Sequence, residues 1–193
     1  ILFNNQIKTP TWSLLESIDN KFNFDTPLVI KPNSQGSTFG LSIVHQKSEI
    51  YNALKRAFLI DKKVIAEKYI KGRELTVTVL DNKAFPIIEI EPSHDLYDYE
   101  CKYSEGLSNY ICPAKINNEL TKKIKKDTEK IFKILDCNVY GRADFILDAK
   151  GNYYFLEMNT LPGMTNTSLV PKAVKSKGIS FEHLIKTIIE LSF

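Results

Sequence analysis

The sequence predicts an α+β fold, in which helices pack beside antiparallel sheets built from hairpins. The first indication is residues 141–163, where two apolar-rich runs flank a turn-forming DAKGN cluster. The second is a similar pair of runs, residues 74–80 and 84–91, joined by an LDNK turn. The third is residues 118–136, where apolar residues at helical spacing face away from a row of lysines.

The other elements follow in chain order. Residues 28–32, LVIKP, form a short apolar run that a proline ends, which predicts a buried strand followed by a loop over 33–40. A helix comes next, with Ser48 as its predicted N-cap and apolar residues at helical spacing from Ile50 onward. Residues 64–70 are then predicted to form a further strand.

Two stretches lack such periodicity and are predicted to be loops. Residues 92–113 are mostly polar or turn-forming, and a loop of that length in a compact domain is usually functional or disordered. Residues 159–171 are rich in Thr, Pro, Gly and Ser, and a closing helix is predicted over 181–191. The chain shows no internal repeat.

Composition narrows the class of protein. A chain of 193 residues can bury a core of its own, as one domain or two small lobes. Its net charge of +3 gives no argument for a nucleic-acid partner. The cysteines, Cys101, Cys112 and Cys137, are odd in number and lack CxxC spacing, as is typical of reduced thiols in a cytosolic protein. No apolar run approaches the roughly 18 residues of a membrane span, so we expect a cytoplasmic protein with no membrane partner.

One face of the 141–163 hairpin is predicted to carry functional side chains. Side chains alternate between the two faces of a sheet, so the register decides which of them meet. Pairing Asp148 with Tyr153 keeps the polar residues of both strands on one face, whereas a shift by one residue sets Leu156 among them. In the preferred register Asp144 lies opposite Glu157, and Arg142 lies opposite Asn159.

The opposed carboxylates favour a metal site. Two like charges about 4 Å apart repel by about 4 kcal/mol at an effective dielectric constant of 20, and a divalent cation reverses that sign. Two carboxylates and the amide oxygen of Asn159 are hard ligands of the kind that Mg²⁺ takes. The alternative is a polar, solvent-facing sheet surface on which Arg142 relieves the repulsion.

A second set of residues suits a phosphate group and a ribose. Lys31 stands at the mouth of the loop NSQGSTFG, whose glycines let backbone N–H groups approach anionic oxygens. Neither the Walker nor the Rossmann glycine pattern is present. Glu67 and Glu74 flank a bend at Gly72, and a carboxylate there can accept ribose hydroxyls. The alternatives are a flexible surface turn and exposed strand charges.

These features together resemble the ATP-grasp superfamily and, within it, the D-alanine–D-alanine ligase family. The segments that carry the resemblance are KPNSQGSTFG, YDYECKY, YICPA, GRADF, LEMNTLPGMT and SLVP, and it runs from about Trp12 to the C-terminus. It implies the family's central and C-terminal domains, with ATP between two α+β lobes at residues 1–73 and 74–193. It also implies ligation of two D-alanines through D-alanyl phosphate, for peptidoglycan precursors of the cell wall.

The resemblance implies a role for individual residues. It implies that the nucleotide's phosphates meet Lys31, that its adenine edge meets Glu67 and the Tyr69-Ile70 backbone, and that its ribose meets Glu74. Lys68 and Lys102 complete the implied nucleotide-binding residues. The implied ligands of two Mg²⁺, or of Mn²⁺, are Asp144, Glu157 and Asn159. Arg142 and the Gly163 N–H would stabilise the oxyanion, and Ser168 with the Leu169 backbone would hold the second substrate's carboxylate. Ser37 and Tyr103 would join by a hydrogen bond as an ω-loop closes, and a tyrosine at position 103 favours the dipeptide over D-alanyl-D-lactate.

The sequence also departs from that family. Its members carry an N-terminal domain that has no counterpart in these residues, so we expect the chain to bind ATP and Mg²⁺ but to make little or no dipeptide. Full-length members are expected to be homodimers. Two alternatives stay open: an ATP-grasp ligase for another carboxylate and amine, and a nucleotide-binding module without turnover. RNA binding is disfavoured because no aromatic platform interleaves with the lysines.

Overall fold

The computed structural model describes residues 1–36, 38–92 and 108–193. The chain folds into two compact units, one containing Pro10–Ile70 and the other containing Ile1–Thr9, Lys71–Glu91 and Asn109–Phe193. The lobes expected around a nucleotide, residues 1–73 and 74–193, stay a prediction, and the compact units place residues 1–9 and 71–73 differently. Mixed helices and antiparallel sheets confirm the α+β fold class.

The first unit is an antiparallel sheet with a helix on one face. Its strands are β1 (Trp12–Leu15), β2 (Leu28–Pro32), β3 (Ser42–Val44) and β4 (Val64–Lys68), and its helix is α1 (Ile50–Ile60). The strand order is β1-β4-β2-β3. The α1 residues Ala53, Leu54 and Ala57 are buried against Leu28 and Ile30 of β2, which explains the apolar spacing in both segments.

Three details of the first unit differ from the prediction. Strands β1 and β3 were not predicted, since they are only four and three residues long. Ser48 does not cap α1, because it lies within a 3₁₀ turn, Lys47–Glu49, and the N-cap residue is Glu49. The Glu49 carboxylate accepts the backbone N–H groups of His45 and Gln46, at 2.9 Å each, and so closes that turn.

The second unit is built on a longer antiparallel sheet. Its strands are β5 (Gly72–Leu80), β6 (Lys83–Ala84), β7 (Ile88–Pro92), β8 (Ser108–Ile111), β9 (Tyr140–Asp148) and β10 (Tyr153–Asn159). The order is β10-β9-β5-β7-β8, and β6 pairs with β5. Asp81 and Asn82 form the β5–β6 turn with φ values of 50° and 60°. A common type of two-residue hairpin turn requires positive φ at both of these positions.

Among its described residues the second unit also has a 3₁₀ turn, Phe3–Asn5, and three α-helices: α2 (Asn118–Ile134), α3 (Leu169–Lys175) and α4 (Phe181–Leu191). Helix α2 begins at the N-cap Asn117, whose side chain accepts the Leu120 N–H, and its apolar stripe covers one face of the sheet. Leu75 and Val77 of β5 face α2, which leaves the alternate residues of that strand on the opposite face. That opposite face carries the candidate site.

Some predicted boundaries in the second unit were wrong. The predicted loop over 92–113 contains strand β8, and the predicted loop over 159–171 runs into helix α3. The predicted strand 84–91 is divided into β6 and β7. Cys112 and Cys137 are free thiols, as expected, and Cys101 lies outside the described residues. No helix in the described part of the chain has the length and apolar character needed to cross a membrane.

Candidate active site

The hairpin of β9 and β10 begins one residue away from the predicted register. Tyr153 pairs with Leu147 and not with Asp148, so the predicted pairing at the turn was wrong. The reason is packing, because the Tyr153 ring lies edge-on to the buried Phe145 ring, with their centroids 6.1 Å apart. Asp148 instead closes the turn, where its Oδ1 accepts the Asn152 N–H at 2.8 Å.

A β-bulge at Leu156 restores the predicted pairs at the other end of the hairpin. The register shifts between Phe155 and Glu157, so Leu156 is the extra residue. Phe155 is buried on the face that α2 covers, and regular alternation would place Glu157 on that face too. The bulge turns Glu157 to the opposite face. The resulting pairs are Glu157 with Asp144 and Asn159 with Arg142.

Asp144 is the centre of this polar cluster. Its carboxylate accepts Arg142 Nε at 2.9 Å and Arg142 Nη2 at 2.8 Å, which is a bidentate ion pair. Thr76 Oγ1 donates to Asp144 Oδ1 at 2.6 Å, and Asn159 Nδ2 donates to Oδ2 at 3.1 Å. Asp144 is only 9% exposed. Four donors therefore hold a nearly buried carboxylate in one orientation.

Glu157 joins the cluster through Asn159. The same Asn159 Nδ2 donates to Glu157 Oε1 at 3.1 Å, so Glu157 Oε1 and Asp144 Oδ2 lie no more than about 6 Å apart, twice 3.1 Å. Glu157 is exposed, which leaves its carboxylate open to a ligand. Two carboxylates and an amide on one surface form a donor set that suits a hard divalent cation.

The donor set suits Mg²⁺, which needs few protein ligands, better than an ion that is coordinated by protein ligands alone. Among the described residues, no three acidic, histidine or cysteine side chains gather as a metal-binding group. Mg²⁺ commonly takes one or two carboxylates and completes its octahedron with water and substrate phosphates. Asp144 and Glu157 meet that requirement, whereas a site made of protein ligands alone would need more of them.

Lys31 and Glu67 form an ion pair on the first unit's sheet. Lys31 Nζ donates to Glu67 Oε1 at 2.9 Å, and the two side chains are 27% and 13% exposed. Lys31 pairs with Ile65 across β2 and β4, so Glu67 is its diagonal neighbour on the face away from α1. The sequence assigned these residues to separate parts of a nucleotide, whereas the structure brings them into contact.

The predicted adenine edge lies at the end of β4. The Lys68 N–H donates to Thr11 O at 2.8 Å, and the Tyr69 N–H donates to Pro27 O at 3.2 Å. Because both N–H groups have protein partners, a purine would meet carbonyl oxygens or the Ile70 N–H there. Glu74 belongs to β5 of the second unit, on the same face as Thr76 and Asp144.

Gly163, predicted for the oxyanion, lies close to Ser168, predicted for the second substrate's carboxylate. A Cβ added to Gly163 would lie 3.1 Å from Ser168 Oγ, so the two residues are in close contact. Ser168 Oγ also accepts the Thr165 N–H at 3.0 Å, which fixes the hydroxyl within this loop. Leu169 begins α3 with its side chain buried, so its backbone is the part that can reach a ligand.

Two side chains near these groups were not predicted. Thr76 contacts Asp144, and it could have been found from its position two residues after Glu74 on the same strand face. Lys172 donates to Thr167 O in the loop between β10 and α3, and its ammonium lies 4.6 Å from the Tyr110 ring centroid. Burial lowers the pKa of Lys172. No pattern in the sequence pointed to that contact.

Three predicted site residues, Ser37, Lys102 and Tyr103, lie outside the described residues, so their roles stay predictions.

Comparison with known proteins gives a consistent result. The family described as "D-ala D-ala ligase C-terminus" matches residues 2–190. The D-alanine–D-alanine ligase of Methylacidiphilum infernorum is 43% identical over 187 residues, which are 97% of this chain and 61% of that protein. The Halalkalibacterium halodurans ligase is 43% identical over 180 residues, 90% of this chain and 59% of that protein.

Solved structures of related ligases also match this chain. The Bacillus anthracis D-alanine–D-alanine ligase complexed with ATP has a TM-score of 0.83 and 36% identity, and the match covers 99% of this chain and 62% of that one. The D-Ala:D-Ser ligase of Enterococcus faecalis has a TM-score of 0.86 and 30% identity, covering 100% of this chain and 59% of that one. The chain thus spans about 60% of the length of these relatives. It has their ATP-grasp fold and belongs to the D-ala D-ala ligase C-terminus family.

Proposed function

We propose that this chain provides the nucleotide, metal and acceptor sites of an ATP-dependent ligase that joins two D-alanines through D-alanyl phosphate. Such a dipeptide serves as a peptidoglycan precursor. The observation that carries the proposal is the cluster of Arg142, Asp144, Glu157 and Asn159 on one sheet face. Curated relatives with about 60% of their length matched bear the name of this activity.

The polar cluster would act on the phosphate groups. Asp144, Glu157 and Asn159 would hold two Mg²⁺, or Mn²⁺, which neutralise charge on the transferring phosphoryl group when bound. The Arg142 guanidinium is held in one orientation by Asp144, so it presents a fixed positive charge beside the metal ligands. A preorganised charge of this kind stabilises a developing oxyanion without reorganisation.

The loop between β10 and α3 would hold the second D-alanine. Ser168 Oγ and the Leu169 backbone would bind its carboxylate, and the Gly163 N–H would donate to the oxyanion formed when its amine attacks the acyl phosphate. The contact between Gly163 and Ser168 supports this assignment, because it brings the two functions within one short loop. Ser37 and Tyr103 would complete the site in the closed enzyme.

The nucleotide would take its remaining contacts from other predicted residues. Lys31 would bind its phosphates, with Glu67 orienting the ammonium through the observed ion pair as well as facing the adenine. The adenine would also meet the chain at residues 68–70, and Glu74 would accept the ribose hydroxyls. Lys102 would add a further cationic contact. We further propose a cytoplasmic location, since the cytoplasm is where ATP is supplied, and a homodimer for the full-length protein.

The test is ADP release with Mg·ATP and D-alanine, compared with L-alanine and with buffer alone. It is run on the 193-residue chain and on the chain fused to the N-terminal region of one of the relatives. We expect D-alanine-dependent ADP release from the fusion and little or none from the chain alone. Glu157→Gln should remove most of the release, whereas Glu182→Gln, an exposed carboxylate on α4, is the matched control. ADP release that D-alanine does not increase, in a fusion that binds ATP, would overturn the proposal.

One comparison is the reason to test a second acceptor. The D-Ala:D-Ser ligase of Enterococcus faecalis matches all of this chain at a TM-score of 0.86. The same assay therefore includes D-serine and D-lactate as acceptors, with the product identified by mass. Tyr103→Phe is expected to change the preference between amine and hydroxyl acceptors more than the affinity for ATP. Nucleotide binding without ADP formation under any of these conditions would indicate a nucleotide-binding module.

A further inference from the structure

Thr76 occupies a buried position directly beside the proposed metal ligands. It lies in the middle of β5, where the register sets it opposite Asp144 of β9, and it is 1% exposed. Its hydroxyl donates to Asp144 Oδ1 at 2.6 Å and lies 3.4 Å from Ala143 O. The shorter contact, to a charged acceptor, is the dominant hydrogen bond.

We propose that Thr76 is a positioning residue for Asp144, and that its hydroxyl holds this carboxylate in the orientation that binds a divalent cation. The proposal rests on the proposed function, because it assigns Asp144 to the metal. Some side chains do not bind the metal but donate hydrogen bonds to the carboxylates that do. They generally affect affinity for the ion, because they fix the direction of the ligand oxygens.

The hydrogen bond from Thr76 connects Asp144 to the neighbouring strand, whereas the ion pair with Arg142 does not. Arg142 and Asp144 are two residues apart on the same strand, so their ion pair ties the carboxylate only to its own strand. Thr76 belongs to the neighbouring strand, and its branched side chain is stiff at χ1. Its hydroxyl therefore anchors the carboxylate to the centre of the sheet, across the strand boundary.

The charge of the donor also matters. Arg142 orients Asp144 but brings a positive charge that repels an incoming cation. Thr76 supplies a neutral donor, which orients the same carboxylate without adding a net positive charge beside the cation. Removing this one hydroxyl should consequently weaken cation binding even though the ion pair with Arg142 is retained.

A purely structural role of Thr76 predicts a different result from a positioning role. The variant Thr128→Val distinguishes the two roles. Thr128 is fully buried in α2, and its hydroxyl donates to Ile124 O at 2.8 Å. Thr128→Val thus removes a buried hydroxyl by the same chemical change as Thr76→Val, but away from the polar cluster. If hydroxyl burial alone mattered, both variants would lose stability and neither would lose affinity for the cation.

The experiment measures Mn²⁺ affinity of the 193-residue chain in the presence of ADP, from the electron paramagnetic resonance signal of free Mn²⁺. Urea unfolding is measured on the same samples. We expect Thr76→Val to weaken Mn²⁺ binding by about tenfold or more, as loss of such a partner commonly does. Thr76→Ser, which keeps the hydroxyl, should stay near the unsubstituted chain, and Thr128→Val should bind Mn²⁺ unchanged. Thr76→Cys, a weak donor of similar size, replaces Thr76→Val if the latter does not fold.

Asp144→Asn separates this inference from the proposed function. If Asp144→Asn loses Mn²⁺ binding while Thr76→Val and Thr76→Cys retain it, the positioning role is wrong and the metal site stands. If Asp144→Asn binds Mn²⁺ normally, or if the unsubstituted chain binds none, the metal assignment fails and the inference fails with it. Equal losses in Thr76→Val and Thr128→Val would also overturn the positioning role.

Discussion

Asp144→Asn and Glu157→Gln each remove one charge from the opposed pair, yet the structure predicts that they differ in their effect on folding. Asp144 is nearly buried and accepts hydrogen bonds from three side chains, including both arms of its bidentate contact with Arg142. The Arg142 side chain is only 15% exposed, so it loses its counter-ion in a poorly solvated position. Glu157 is exposed and accepts from Asn159.

These contacts set the expected magnitudes. A hydrogen bond to a charged group contributes about 1.5–3 kcal/mol, and removing one partner of a fully buried pair costs about 3–5 kcal/mol. Because Asp144 lies at a sheet surface, we expect Asp144→Asn to lower the free energy of unfolding by about 2–3 kcal/mol. Glu157→Gln should change it by less than about 0.5 kcal/mol. Relief of the like-charge repulsion favours both variants alike, so it does not separate them.

Urea unfolding followed by circular dichroism measures the free energies, and Mn²⁺ titration with ADP measures the metal site on the same preparations. Both variants should lose metal affinity, and only Asp144→Asn should lose stability. Equal destabilisation by the two changes would show that the ion pair with Arg142 does not support the fold. Retention of Mn²⁺ affinity in both variants would refute the metal-binding face itself.

Two further predictions concern packing and pH. A Cβ at Gly72 would lie 2.3 Å from Leu147 O, a backbone atom of the neighbouring strand, so Gly72→Ala should cost about 1–3 kcal/mol in urea unfolding. Gly36→Ala, with no atom of the described residues within 4 Å of its added Cβ, should be close to neutral, and equal effects would refute the clash. Burial, together with the hydrogen bond that its hydroxyl donates to Asp127, raises the pKa of Tyr153 above its ordinary value of 10.0. The folded state then favours the neutral phenol, so this stabilisation is present below pH 10 and lost as the pH rises further. The melting temperature should fall more steeply above pH 10 in the unsubstituted chain than in Tyr153→Phe, and parallel curves would contradict the assignment.

Much of the architecture is encoded in short stretches of sequence. The apolar run at Leu28–Pro32 and the 3.6-residue periodicity of Asn118–Ile134 were predicted because each element follows from its own residues. The turn at Asp81-Asn82 was predicted for the same reason, since side chains that tolerate positive φ specify it locally. The family resemblance likewise came from short segments spread along the chain, and the comparisons confirm it.

The tertiary structure decided what depends on contacts between distant segments. The bulge at Leu156 arises because Tyr153 and Phe155 pack with Phe145 in the core while Glu157 faces the other way. Alternation within one strand cannot predict an extra residue whose cause lies in packing beneath the sheet. Short strands such as Ser42–Val44 have too few residues for a period to emerge.

The contacts between the site residues could not be predicted from local sequence either. Lys31 was predicted as a phosphate contact and Glu67 as a nucleotide contact, but their ion pair depends on how β2 and β4 align. Thr76 and Asp144 are 68 residues apart in sequence, and only the register of β5 against β9 makes them neighbours. Residue type and local spacing thus predicted the polar face of the 141–163 hairpin, and the family resemblance implied the other site residues. Long-range strand pairing determined which of them touch, because a one-residue change in register exchanges every contact across a sheet.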